Sequence, residues 1–586
     1  MKAEQTGCDS SSDLYDVVIC GGGLAGQTLA RQLKLTLPQL SILILEQEHF
    51  PRPLAACKVG ESTIETSSFY LGEVLQLSEH LKQEHLRKLG LRYFWSDPHR
   101  SLAEVPEIGL SQAAPYPSYQ IDRGVLENHL YETNCAMGVV ISAGVQVKEI
   151  CLGDQETLHQ IHIESNTRRA GAISLRARWV IDAMGRRKFL QKKLNLRVKS
   201  KAVHSAAWFR VKGRLDIADL VSPTQHSWHE RVPERKRYYS TTHLMGDGYW
   251  VWLIPLSSGH TSVGIVAREP MERLPDFTTL ERAMHWLQTH EPALYQQLQG
   301  FAVVDFLKLY DYTYSSKQVF SSQRWACIGD AALFSDPFYS PGIALLGYEN
   351  SMVTKLIEQD RAGRLRNAQV DSFNSFALSI NEYDTYFIQA PYLYFKHPHI
   401  WSLRLLSTLT ISWGTIYPQM FNAIFLDVEK SQQIGQLTRQ LAPWLFKLEA
   451  LFQEWASKTP NRFSFQFIDY LSLPFLRDLY RRSVARYDDF TQVIAHYQAA
   501  VQKVEEIIQV IFLLALRDVM PEAIAHLPNP LWLNPLGMSL EPARWQSDGL
   551  FRPTTAARDF RELRAEIEAL YTFSSADGET GEMITL

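Results

Sequence analysis

A run of glycines set between an apolar stretch and an amphipathic one constrains this chain more than any other feature. Residues 15–20, YDVVIC, read as a short buried strand, and residues 24–35, LAGQTLARQLKL, carry helical periodicity. Gly21, Gly23 and Gly26 form a GxGxxG across the junction. The first glycine permits a tight turn, the second lets backbone approach a pyrophosphate, and the third lets helix and strand pack closely. The helix N-terminus then offers free N–H groups and positive partial charge to phosphates. A second strand, SILILE, ends at Glu46, where an acidic side chain would bind ribose hydroxyls. A GxGxxG alone is weak, but with its strand, helix and acid it predicts a Rossmann-type dinucleotide site.

The rest of the chain must be built around that unit. At 586 residues it exceeds what one hydrophobic core holds, so two or three domains are expected. Residues 14–200 are assigned to the Rossmann-type domain, with inserted substrate-domain segments. Alternating β-rich segments predict an antiparallel substrate sheet over 201–320. Residues 321–355 return to the first domain, 356–575 read as a helical region, and 576–586 as a frayed tail. The fold class is α/β.

The formal net charge of -4 argues against a nucleic-acid binder. None of Cys8, Cys20, Cys57, Cys135, Cys151 and Cys327 forms a CxxC pair, so no metal site is expected. The N-terminal stretch lacks an apolar segment of the secretory kind, and a cytoplasmic setting is expected. Residues 405–426 are uncharged and long enough to span a membrane, but Ser, Thr, Gln and Asn run through them, with Gly414 and Pro418 inside. A buried or surface-docked helix pair is expected there; membrane contact stays open without being predicted.

Two later segments indicate which dinucleotide. ARWVIDAMGRR contains a strand ending in Asp182-Ala-Met-Gly185, and RWACIGDAALFSDPFYSPG contains a strand ending in Gly329-Asp330. With these the chain resembles the FAD-dependent aromatic hydroxylases and their relatives. The resemblance implies that both motifs return to the first Rossmann unit, that Asp330 reaches the FAD ribityl chain, and that Arg123 in YQIDRGVLENHL lies near the pyrophosphate. It also implies that Pro337 and Gly342 belong to the same cofactor set. No second GxGxxG appears, so reduction of FAD by a separate flavin reductase is expected.

Residues 250–256, WVWLIPL, put two indoles on one side of a strand. In isolation they would read as core. In this company, WxWxIP resembles the signature of the flavin-dependent halogenases, which implies that Trp250 and Trp252 stand near the flavin and keep organic substrate off it. KLGLRYFW at 88–95, after KVGEST at 58–63, fits that family's lysine pattern through Lys88, Gly90, Tyr93 and Trp95. The resemblance implies that Lys88 directs hypohalous acid or carries it as a haloamine. Lys58 precedes the VGES turn and is expected by the flavin. DPFYSPGIAL at 336–345 matches the family's loop where halide would sit near backbone N–H groups, with Ser340 and Gly342 as small residues there. Tryptophan halogenases carry Glu-Ser in this loop, whereas this chain has Tyr339-Ser340. That departure favours an electron-rich phenol or pyrrole over indole.

The expectation is therefore a two-component halogenase using reduced FAD, oxygen and chloride or bromide. Its substrate would be a small molecule or one tethered to a carrier, and the aromatic-rich helical region would be core or a lid over it. Two alternatives remain on the same scaffold: an FAD-dependent hydroxylase or isoprenoid-type oxidoreductase, and a non-catalytic flavin-binding interaction protein.

Overall fold

The structure is a computed structural model and describes residues 14–54, 58–154, 156–165, 173–200 and 202–573. The tail expected over 576–586 lies outside the described residues.

β-branched and leucine-rich runs, apolar on both faces, form the interior of a parallel sheet. Its strands lie in the order Val140–Ala143, Ile42–Glu46, Leu14–Cys20, Ile173–Asp182 and Trp325–Cys327. Phe320–Ser321 closes the last edge in antiparallel fashion. The register sets where the strands stop. Cys20 lies beside Leu45 and Asp182, and Asp182 lies beside Cys327. Three strands thus end level, and the turns at Gly21, Ala183 and Gly329 meet at one carboxyl edge, where open parallel sheets bind ligands. A hairpin of Val145–Cys151 and His159–Ser165 pairs with the start of Ile173–Asp182.

The second sheet is mixed and has nine strands among the described residues. His204–Lys212, His260–Arg268, Tyr249–Pro255 and Thr241–Gly246 pair antiparallel in that order. Leu91–Trp95 joins Thr241–Gly246 in parallel, with Tyr93 opposite His243. The period-two reading of WVWLIPL holds. Trp250, Trp252 and Ile254 face the large core shared with the first sheet, while Val251 and Leu253 face a separate core under the other side.

Beyond these sheets the chain is helical, with three differences from expectation. The helix Gly342–Arg361 runs without a break through the 355/356 boundary. The stretch 405–426 belongs to a continuous helical run, Pro398–Ile411, Ser412–Ile416 and Tyr417–Phe421, rather than to a helix pair. A wider turn at Ser412–Ile416 absorbs Gly414. Most of the run is buried, so its apolar length serves the core. Third, the helical region supplies a strand, Phe467–Ile468, which pairs in parallel with Glu107–Ile108. The helix Phe490–Val519, 30 residues long, forms the spine of that region. No helix among the described residues is long and apolar enough to cross a membrane.

Candidate functional site

One cavity of about 620 Å³ runs from the glycine turn to the paired tryptophans. At one end it is lined by Gly21, Gly23 and Glu46, in the middle by Arg123, Gly185, Gly329 and Asp330, and at the other by Trp250, Trp252, Pro337, Ser340 and Gly342. Residues far apart in sequence thus share one wall. Gly26 and Asp182 do not line it. A Cβ at Gly26 would lie 2.0 Å from the Gly21 carbonyl oxygen, so this glycine serves close helix–strand packing. The Asp182 carboxylate turns into the protein, accepting the N–H groups of Met184 and Leu190 at 3.1 and 2.7 Å. Burial raises its pKa to about 6.

Several observations fit a dinucleotide. A Cβ at Gly23, Gly185 or Gly342 would meet no protein atom within 4 Å, so the backbone there borders open space. Glu46 accepts the Gly22 N–H at 2.6 Å and the Glu48 N–H at 2.9 Å, which fixes its carboxylate at the end of the second strand. Arg123 donates to the Val59 carbonyl and to Glu127 Oε1, while its buried Nε has no hydrogen-bond partner. A buried orphan donor on a cavity wall is what an anionic ligand would satisfy. Lys58 also lines the cavity and pairs with Glu127 at 2.7 Å.

The tryptophan end is closed by rings. Trp250 and Trp252 have centroids 5.7 Å apart, and Trp208 lies 6.5 Å from Trp252. Trp250 also meets Phe338 edge-on at 5.1 Å. Trp252 donates its indole N–H to Ser262 Oγ at 3.1 Å. Its ring lies against Gly264, where a Cβ would come within 2.2 Å of Cζ2. That glycine makes room for the indole and went unread in the sequence, since its signal is only a glycine inside a strand pattern.

Lys88 stands one side chain behind the cavity wall, not on it. Its Nζ donates to Ser62 Oγ at 2.7 Å and to the Thr63 carbonyl at 2.8 Å, and the residue is 3% exposed. Ser62 also accepts from Ser340 Oγ at 3.0 Å. With both lone pairs used, the Ser62 hydroxyl donates to Thr241 Oγ1, 2.7 Å away. Ser62, Ser340 and Thr241 line the cavity, so a hydroxyl chain connects it to the amine. Burial lowers the Lys88 pKa to about 7, against the opposing pull of Glu65. Ser62 was not singled out from the sequence, although it lies in the VGES turn.

Ser340 has φ 58°, the left-handed region, which is uncommon for a residue with a side chain. Its N–H bonds the Pro337 carbonyl at 2.8 Å, and the helix begins two residues later at Gly342. The first N–H groups of that helix lack intrahelical partners, and Pro341, Gly342 and Ile343 line the same cavity as Trp250. Separately, the hairpin brings Glu149, Cys151 and His162 together, with candidate ligand atoms within 4.8 Å of one another. None of the three lines the cavity.

The tryptophan halogenase family model matches residues 16–109 and 99–397, well over half of the chain. The chain belongs to the tryptophan halogenase family. The match runs through the glycine turn, Lys88, both indoles and the Ser340 loop. The flavin-dependent halogenase chlA of Dictyostelium discoideum is 26% identical over 404 residues, which cover 64% of this chain and 65% of that protein. The chain thus spans just under two thirds of that relative's length. A 1H-pyrrole-2-carbonyl-(peptidyl-carrier protein) chlorinase of Pseudomonas fluorescens is 28% identical over 356 residues, 56% of this chain and 73% of that protein. Among solved structures, the halogenase PltM in complex with phloroglucinol and FAD superposes with a TM-score of 0.59 at 18% identity, covering 85% of this chain and 96% of that one. The flavin-dependent brominase Bmp2 gives 0.53 at 21% identity, covering 66% and 92%. The likeness to PltM extends over most of the helical region, which the family model leaves beyond residue 397. The chain therefore shares its α/β fold with these two solved halogenases.

Proposed function

We propose that this chain is a flavin-dependent halogenase that receives reduced FAD from a separate reductase and places chloride or bromide on an electron-rich ring. The observation that carries this reading is the setting of Lys88. As an ammonium it has three N–H donors, and Ser62 and the Thr63 carbonyl take two. The third is left to hold and polarise an oxidant. As a neutral amine it uses both N–H groups on the same partners and keeps a lone pair for attack. With a pKa of about 7, both forms are populated at neutral pH.

Reduced FAD, when bound, supplies the oxygen chemistry that converts halide to hypohalous acid. The chain's own residues do the rest. The turns at Gly21 and Gly23, with Glu46, Arg123 and Asp330, hold the cofactor along the cavity. The Ser340 loop and the Gly342 helix start hold the halide. Trp250 and Trp252 fill the space where an organic ring would otherwise meet the flavin. A small oxidant reaches the cavity wall at Ser62, Ser340 and Thr241, and Lys88 acts on it through the hydroxyl chain that joins this wall to the amine.

The substrate class is drawn from the relatives. One is named for a pyrrole tethered to a peptidyl-carrier protein, and another is solved with the phenol phloroglucinol. Both rings stabilise their own cations, which accords with Tyr339-Ser340 in the loop. The test is product mass from purified protein, reduced FAD, oxygen and bromide, with phenols, free pyrroles and a carrier-bound pyrrole. A brominated product that requires bromide is expected. A product gaining one oxygen regardless of halide would overturn the proposal in favour of a hydroxylase.

A further inference from the structure

Trp250 does not rest on ring packing alone. Its indole N–H donates to the Tyr392 hydroxyl oxygen at 2.6 Å. Tyr392 in turn donates to Asp336 Oδ2 at 2.9 Å, and Tyr312 donates to the same oxygen at 2.9 Å. Asp336 Oδ1 accepts the Phe338 N–H at 3.0 Å. Asp336 is 0% exposed and lines the cavity. Four distant segments meet here: the tryptophan strand, the connection before Tyr314–Ser316 that carries Tyr312, the loop that carries Ser340, and the turn Ala390–Tyr394 after the long helix Asn367–Gln389.

The polarity of this chain is forced. A tyrosine hydroxyl has one hydrogen to give, and an indole N–H can only donate. Tyr392 can receive Trp250 only if its own hydrogen points elsewhere, and the ionised Asp336 is the acceptor that draws it away. No Lys, Arg or His forms an ion pair with Asp336 among the described residues. Its charge is balanced by these three donors. A neutral Asp336 would offer a hydrogen to the tyrosines and weaken the hold on Tyr392.

We propose that Asp336 is a positioning residue for Trp250: when ionised it sets the donor direction of Tyr392 and so pins the indole at the inner end of the cavity. The catalytic consequence rests on the proposed shielding role of Trp250; the positioning itself does not. One other group near this site titrates in the same range: Lys88, at about 7, acts on His243 beside Trp250, and the Tyr392→Phe variant, which leaves Lys88 in place, separates its titration from that of Asp336. His204 stands edge-on to Tyr392 at 4.7 Å and His243 is tilted against Trp250 at 5.1 Å; burial pushes both down to about 3. Arg268 faces Tyr392 and donates to the Gln389 carbonyl at 3.1 Å, and burial lowers its pKa from the usual guanidinium value. Burial raises Tyr339, which also faces Asp336, to about 12. Burial raises Asp336 itself to about 6, against its three hydrogen bonds.

Two readouts separate positioning from chemistry. The first is fluorine NMR of the full chain without FAD, carrying 5-fluorotryptophan, with the Trp250 signal assigned by its loss in Trp250→Phe. In the wild type that signal should move with pH around a midpoint near 6. In Tyr392→Phe, which keeps the ring and removes the link, and in Asp336→Asn it should no longer follow pH. The second readout is hydrogen peroxide released per reduced FAD by the loaded enzyme, which should rise about threefold or more in Tyr392→Phe while FAD affinity is kept, as expected when a placed group drifts by a fraction of an ångström. A wild-type Trp250 signal that ignores pH from 5 to 8, or a Tyr392→Phe signal that titrates like the wild type, would overturn the proposal. A titrating signal with unchanged peroxide release upholds the positioning and instead removes Trp250 from the shielding role.

Discussion

Lys88→Met keeps most of the apolar stem and removes one nitrogen, so its effect can be worked from the structure. Two hydrogen bonds disappear, and the Ser62 hydroxyl and Thr63 carbonyl are left short of a donor. That costs about 1–3 kcal/mol for buried acceptors. Against it stands the strain of burying an ammonium. Moving a lysine from 10.5 to about 7 corresponds to about 5 kcal/mol against the charged form. The two terms oppose each other, so the variant should fold and melt within a few degrees of the wild type. FAD affinity should also be kept, because Lys88 does not line the cavity. Halogenated product should fall on the order of 10²-fold or more, as when a preorganised donor is removed from other active sites. The assay is product mass and yield per reduced FAD, with and without bromide, alongside thermal melting and flavin titration. A folded, FAD-binding variant that halogenates at the wild-type rate would refute the role of Lys88. Equal loss of FAD binding and product would refute the separation of cofactor site from amine.

Burial of Lys88 also has a pH signature. The unfolded chain holds this proton up to 10.5 and the folded one only to about 7, so the unfolded state binds more protons between those values and wild-type stability rises with pH there. Relative to Lys88→Met, urea denaturation should show a gain of up to about 5 kcal/mol from pH 7 to 10.5 and no further change below pH 7. Gly23→Val fills the open space beside the glycine turn and should abolish FAD binding; retained flavin absorbance in the folded variant would count against the site. Trp250→Ala or Trp252→Ala should release more peroxide and less product per reduced FAD, and unchanged coupling in both returns the indoles to a packing role. Gly264→Ala places a methyl 2.2 Å from Trp252 Cζ2 and should cost about 1–3 kcal/mol. The same change in a Trp252→Ala background should cost far less, which a double-mutant cycle measures.

The glycine turn, the two strands around it and the side-by-side indoles were legible because their causes are local. A tight turn needs glycine within a few residues, and a strand alternates its faces every second residue. The motif lysine was legible only through its pattern, and its placement behind the wall was not. Ser62 and Ser340, which carry the connection from cavity to Lys88, are 278 residues apart. Trp250 and Tyr392 are 142 apart. No periodicity encodes such pairs; they arise when level strand ends and the helical region close on one another. The same closure makes a half-charged amine of Lys88 and an elevated carboxylate of Asp336, since desolvation depends on everything packed around a group. Sequence by itself determined which chemistry-bearing residues exist and which local shapes present them. Tertiary structure alone decided which of them touch, how dry they are and in which direction their hydrogens point.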